Sequence, residues 1–328
     1  MNNSTLIKDK LLSLINEMDQ YHWLFTRNPE IDFTRVKKWS FSDVIRFIIT
    51  MEGNSLKDEL YDYFDFSCNT PTNSSFNQRR SQVLPEAFEF LFHEFTSSVS
   101  YEKLYHGYRL LACDGSDLCI AHNPDDKTTY FQSTPLSRGF NQLHLNAVYD
   151  LQTRTYTDAI IQPACQENEN RAMCDMIDRY SGHLKTIFIA DRGYENYNIF
   201  AHAQEHGVFY LIRAKDLLSN GIVSSVREQL PKNQMTFDRS VSITLTRKQT
   251  NVVKANPKKY RIIMKATAFD YLDLHVKKFY DLQMRIVRFP ISENTYESII
   301  TNLPTEDFSL EDIRALYHMR WRIMPISA

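Results

Sequence analysis

Glycine is scarce in this chain, eight in 328 residues, which argues against long flexible linkers. At this length the expectation is two domains, or one domain with a large insertion. No apolar run approaches the roughly 20 residues that a membrane-spanning helix needs. The N-terminal stretch MNNSTLIKDKLLSLINEM mixes polar and apolar residues at helical spacing and does not show the basic-then-apolar order of a secretory signal. Five cysteines occur (Cys68, Cys113, Cys119, Cys165, Cys174), an odd number with no C-x-x-C pair. Neither a disulfide framework nor a zinc site is indicated, and a reducing cytoplasm is the expected setting.

A large net charge is missing as well. The formal value is −2, which on its face argues against nucleic acid. The distribution points the other way, because from Leu245 to Pro290 eleven Lys and Arg stand against three acids. Local clustering, more than the total, sets affinity for phosphate. Lys254, Lys258, Lys259 and Arg261 are therefore candidate DNA contacts, with a solvated charged face as the alternative.

What is present falls into four segments. Residues 1–103 carry apolar positions at three- and four-residue spacing, as in Leu11, Leu12, Ile15 and Val44, Ile45, Phe47, Ile48. A Gly53–Asn54 turn separates two helices, and a third begins in SFNQRRSQVL, where Ser74 or Ser75 can cap it and place Arg79 and Arg80 about one turn in. Short helices around tight turns fit a helix-turn-helix module, a helical DNA-binding domain; a plain helical bundle is the alternative. Residues 104–216 change character: three strands, a helix, a strand, a helix and a strand, the order of a ribonuclease-H-like α/β core with a mixed sheet. Residues 217–303 read as a β-rich insertion, and 304–328 as a final core helix whose start carries a capping box at Ser309 and Asp312.

Two acids stand out by position. Asp114 follows the apolar run LLAC and a turn is expected after it; Asp191 follows the strand KTIFIA. In this strand order the two strands are neighbours, so both carboxylates reach one point. Paired carboxylates repel unless a cation joins them, and hard oxygen ligands suit Mg²⁺ or Mn²⁺. Such a pair can hold the divalent ions of phosphodiester cleavage. Asp117 competes with Asp114 for the role but is the weaker candidate. His144 and His183 are read as structural or surface groups, and no histidine is assigned to a metal.

The stretches ACDGSD, IADRGYEN, IITNLP and LYHMRWRI resemble, in order and over most of the chain, the signatures of DDE transposases of the insertion-sequence-four family. The resemblance implies metal-dependent cleavage and strand transfer at transposon ends, with Asp114 and Asp191 as catalytic metal ligands. It implies double-stranded DNA, ends and target, as partner, a homodimer as the form on DNA, and a bacterial, nucleoid-associated location. It also implies a helical motif Y-x-x-R-x-x-x-E, with Tyr317 and Arg320 holding DNA phosphate or a flipped base. The acid of that motif falls at Met324, with Pro325 next. The expectation is a C-terminally truncated copy with catalysis lost or weakened. The rivals are a catalytically dead DNA-binding regulator of an intact transposase, and a stand-alone nuclease of the same fold.

Overall fold

A computed structural model describes residues 3–35, 38–99, 103–134, 136–232, 234–273, 275–293 and 295–320. Its contacts divide the chain into two units, residues 1–101 and 102–328.

The first unit is helical: α1 (Asn3–Gln20), α2 (Phe41–Thr50), α3 (Leu56–Tyr63), α4 (Asn73–Arg80) and α5 (Glu86–Val99). A reciprocal box starts α2, the Ser40 hydroxyl accepting from the Asp43 N–H and the Asp43 carboxylate from the Ser40 N–H. The apolar face of α2 (Phe41, Val44, Ile45, Phe47) meets Ile15 and Met18 of α1, Leu60 of α3 and Phe76 of α4. Trp39 fills the middle, its ring in contact with Phe47, Tyr63, Phe64 and Phe76. The cap of α4 is Thr72, not Ser74 or Ser75. Thr72 already has the extended backbone that a cap requires, and its side chain accepts from the Ser75 N–H at 3.2 Å.

In the second unit the elements are β1 (Arg109–Ile120), β2 (Tyr130–Phe131), β3 (Phe140–Asp150), β4 (Thr155–Pro163), α6 (Glu169–Asp178), β5 (Thr186–Ala190), α7 (Tyr197–Glu205), β6 (Phe209–Ala214) and α8 (Ile222–Ser225). They continue with β7 (Phe237–Thr246), α9 (Asn251–Ala255), β8 (Tyr260–Ile262), β9 (Phe279–Ser292), β10 (Thr295–Thr301) and α10 (Leu310–Met319). All ten strands form one sheet in the order β2-β3-β1-β5-β6-β10-β9-β7-β8, with β4 on β3. β1, β5 and β6 run parallel, joined through α6 and α7, and the remaining core pairings are antiparallel. This is the mixed α/β, ribonuclease-H-like architecture expected from the strand order.

The central strands are apolar on both faces because both are covered. Leu111, Cys113, Phe188, Ala190 and Ile212 pack in the layer that holds α6 and α7. Their neighbours in sequence, Leu110, Ala112, Ile187, Ile189 and Leu211, pack with Ile313, Leu316 and Tyr317 of α10. Strict alternation along each strand produces the two layers.

The β-rich segment does not fold apart from the core. β10 pairs with β6, from Thr301↔Leu211 to Ser298↔Ala214, and β9 pairs with both β10 and β7. Two of the eleven basic residues counted there are buried: Arg285 is 3% exposed and Arg288 4%. Arg285 is ion-paired with Asp238 and donates to the Leu303 and Phe308 carbonyls, while Arg288 pairs with Asp216. Neither is a surface cation, because each has its acid outside the stretch. No helix among the described residues is long and apolar enough to cross a membrane.

Candidate active site

The pairing of β1 with β5 ends at Ala112↔Ile189. Asp114 and Asp191 each lie two residues further on, level with one another and on the α10 side of the sheet by strand alternation. The turn expected after Asp114 is absent. β1 continues to Ile120, held by β3 through Asp114↔Ala147 as far as Ile120↔Asn141. Gly115 marks a close approach and not a turn: a Cβ there would sit 2.3 Å from Glu169 Oε1 and 2.7 Å from His144 Nε2.

Asp191 caps the tight turn Arg192–Tyr194, its Oδ1 accepting from the Gly193 N–H at 2.8 Å. Its other oxygen remains for the site. One guanidinium nitrogen, Arg320 Nη2, lies 3.1 Å from Asp114 Oδ1 and 3.9 Å from Asp191 Oδ2. Both carboxylates are close to half exposed, whereas the Arg320 side chain is 8% exposed. The two acids thus face a common point that already carries a positive charge.

α10 delivers that charge. Ser309 and Asp312 form the capping box at its start, and Ile313, Leu316 and Tyr317 bury its inner face. Arg320 then projects from its last turn. Tyr317 is 1% exposed, and its hydroxyl is buried without a hydrogen bond; burial raises its pKa. In this conformation neither Tyr317 nor Arg320 presents a surface to DNA, because one is in the core and the other is held by the acids. Met324, the position where the motif carries its third acid, lies outside the described residues.

The remaining expected contacts belong to several elements. Lys254, at the end of α9, and Lys258 and Lys259 just beyond it are exposed. Arg261 is partly buried and donates to the backbone carbonyls of Ser225, Pro257 and Tyr260, a bracing role. In the first unit Arg79 and Arg80 occupy the last turn of α4, not its first, with their guanidiniums over the Phe33 and Phe76 rings. Base contacts in helix-turn-helix modules come from the start of the recognition helix. Arg79 and Arg80 lie at the opposite end of α4 from that position.

A cleft of about 690 Å³ opens beside Asp191, lined among others by Arg192, Lys215, Tyr197 and Gly221. Arg192 and Lys215 are cations that the sequence reading did not name. The only signal for Arg192 was its place next to Asp191 in DRGY. Across the sheet, on the α6 side, Asp117 and Glu169 flank the buried His144. Burial pushes the Glu169 carboxyl above its ordinary range, with Glu167 and Asp191 adding to the effect against His144. For His144 burial acts downward, but the Asp117 hydrogen bond and the Glu167 and Glu169 charges outweigh it and raise the pKa.

Comparison with known proteins bears on residues that include both acids and Arg320. A family model described as the transposase DDE domain matches residues 105–323. Comparison with curated proteins gives no match.

Proposed function

The chain belongs to the transposase DDE-domain family, and on that premise we propose that it binds the ends of an insertion sequence and carries out metal-dependent strand cleavage and transfer. The insertion-sequence-four branch is proposed on the stretches ACDGSD, IADRGYEN, IITNLP and LYHMRWRI. One observation supports the catalytic assignment above the others: a single Arg320 nitrogen lies within ion-pair distance of both Asp114 and Asp191.

The donor set fits a hard divalent cation. Two half-exposed carboxylates converge on a point where a guanidinium now supplies positive charge, and carboxylate oxygens suit Mg²⁺ or Mn²⁺. Asp114 and Asp191 would hold the ion, which when bound activates water and stabilises a leaving oxygen. Arg320 holds the two carboxylates together; with a cation held by Asp114 and Asp191, its guanidinium would be available to take a phosphate. Arg192 and Lys215 hold a DNA strand along the cleft beside Asp191. Lys254, Lys258 and Lys259, together with Arg79 and Arg80 of the helical unit, position the duplex through its backbone. The proposed form on DNA is a homodimer.

Met324 stands where the motif carries Glu, which favours a second reading, an end-binding regulator that does not cut. A strand-transfer assay with labelled end DNA and Mg²⁺ or Mn²⁺ separates the two. Cleavage that Asp191→Asn abolishes supports the enzyme. End binding without cleavage, from a folded chain, supports the regulator. Absence of both end binding and cleavage would count against the whole assignment.

A further inference from the structure

We propose that this protein carries a second divalent-cation site, on the sheet face opposite Asp114, built from His144 Nδ1, Asp117 and Glu167 with Glu169 gripping the far side of the imidazole. Strand register creates it. Asp117 of β1 and His144 of β3 are direct cross-strand partners, so their side chains rise from the same face. Asp117 is three residues from Asp114 and therefore points the other way. Glu167 reaches in from the segment between β4 and α6, and Glu169 from the first turn of α6.

The geometry around the ring is that of a ligand set. Nδ1 lies 2.8 Å from Asp117 Oδ1 and 3.2 Å from Glu167 Oε2. One donor atom from each of the three residues falls within 4.8 Å of the others. Metal–ligand bonds of about 2.0–2.2 Å put neighbouring donor atoms about 3 Å apart around the ion. The two contacts to Nδ1 already have that spacing. Asp117 and Glu167 are about half exposed, which leaves a path in and room for water ligands.

The second observation concerns the other nitrogen. His144 is 6% exposed, and its Nε2 is buried without a hydrogen bond. Glu169 Oε1 lies 3.3 Å from that nitrogen. A neutral ring with its proton on Nδ1 serves Asp117 and leaves Nε2 facing a carboxylate, lone pair to lone pair. A cation on Nδ1 moves the ring proton to Nε2, where Glu169 accepts it. That is the carboxylate–histidine–metal relay that orients ligating imidazoles. It also offsets three carboxylates around a single ring. One imidazole with two carboxylates suits Mn²⁺, Fe²⁺ or Zn²⁺ better than Mg²⁺. Bound there, the ion staples β1, β3 and the entry to α6 directly behind the strand that carries Asp114.

The test is Mn²⁺ binding to the untagged full-length chain, followed by titration calorimetry and by pulsed electron paramagnetic resonance. Asp114→Asn with Asp191→Asn removes the other site. The expected result is Mn²⁺ still bound by that double variant, with nitrogen modulation from one imidazole that His144→Gln abolishes. Glu167→Gln, at a half-exposed side chain, should weaken binding about 10-fold or more, and Glu169→Gln about 10- to 100-fold. Mn²⁺ bound without nitrogen modulation would overturn the site. So would no Mn²⁺ bound by the folded double variant, or affinity unchanged by Glu167→Gln; the ring would then be an imidazolium among acids. None of these outcomes depends on transposition.

Discussion

Replacing Arg320 by Gln should tighten, not loosen, the hold of Asp114 and Asp191 on a divalent cation. The guanidinium occupies the point on which both carboxylates converge, 3.1 Å from one oxygen and 3.9 Å from the other. A charge-assisted hydrogen bond of this kind contributes about 1.5–3 kcal/mol. The second contact, at the outer limit of an ion pair, adds little. Both carboxylates are near half exposure, so solvent screening lowers the total to about 1–2 kcal/mol. A cation must displace that interaction or share the space with a like charge. Removing the guanidinium should therefore raise Mn²⁺ affinity by a factor of about 5 to 30. Calorimetric titration in a His144→Gln background, where the second site is silent, reads this directly. Affinity that is unchanged or lower in Arg320→Gln would refute the reasoning, and would mean that Arg320 shapes the acids and does not compete for them.

Three further outcomes follow from the same coordinates. Arg285→Met should cost about 3–5 kcal/mol in urea unfolding, because it strands Asp238 and the Leu303 and Phe308 carbonyls around a buried position; a loss below about 1 kcal/mol would show that Asp238 simply turns to solvent. The hydrogen bond from Arg288 holds the Asp216 carboxyl below the ordinary carboxylate range. Its contribution to stability is thus complete above about pH 4 and lost as pH falls through the lower folded value, and a pH series of urea midpoints should show Asp216→Asn removing part of that acid dependence. Lys254→Gln, Lys258→Gln and Lys259→Gln together should flatten the salt dependence of DNA binding, lowering the slope of log K against log salt by up to about 2.7. An unchanged slope in that triple variant would place the duplex elsewhere.

The sequence was most readable where burial is two-sided. LLAC and TIFIA are unbroken apolar runs because both faces of β1 and β5 are covered, and an acid after such a run marks where the layers end. That pattern singles out Asp114 and Asp191 in the sequence. Gly115 reads as a turn in the sequence because the reason for it, the approach of Glu169 and His144, comes from distant parts of the chain. The Asp117–His144 pair depends on cross-strand register, which no local pattern encodes. Arg285 and Arg288 add to the local positive charge of the sequence because their acids, Asp238 and Asp216, lie outside the 245–290 stretch. The start of α4 moved because Thr72, three residues before Ser75, meets the backbone requirement of a cap first. Local rules located the elements; tertiary partners decided what several polar residues do.

β6 and β10 are hydrogen-bonded neighbours in the middle of the sheet, with Leu211 opposite Thr301. As the chain leaves the ribosome, one margin of the nascent parallel core must wait for a strand made much later. At about 5–20 residues per second the delay is roughly 4 to 18 seconds. Throughout that interval β6 displays an apolar ledge with unpaired backbone groups, which favours mispairing between neighbouring chains. Yield of folded protein should therefore respond to translation speed and to chaperones more than its final stability would indicate.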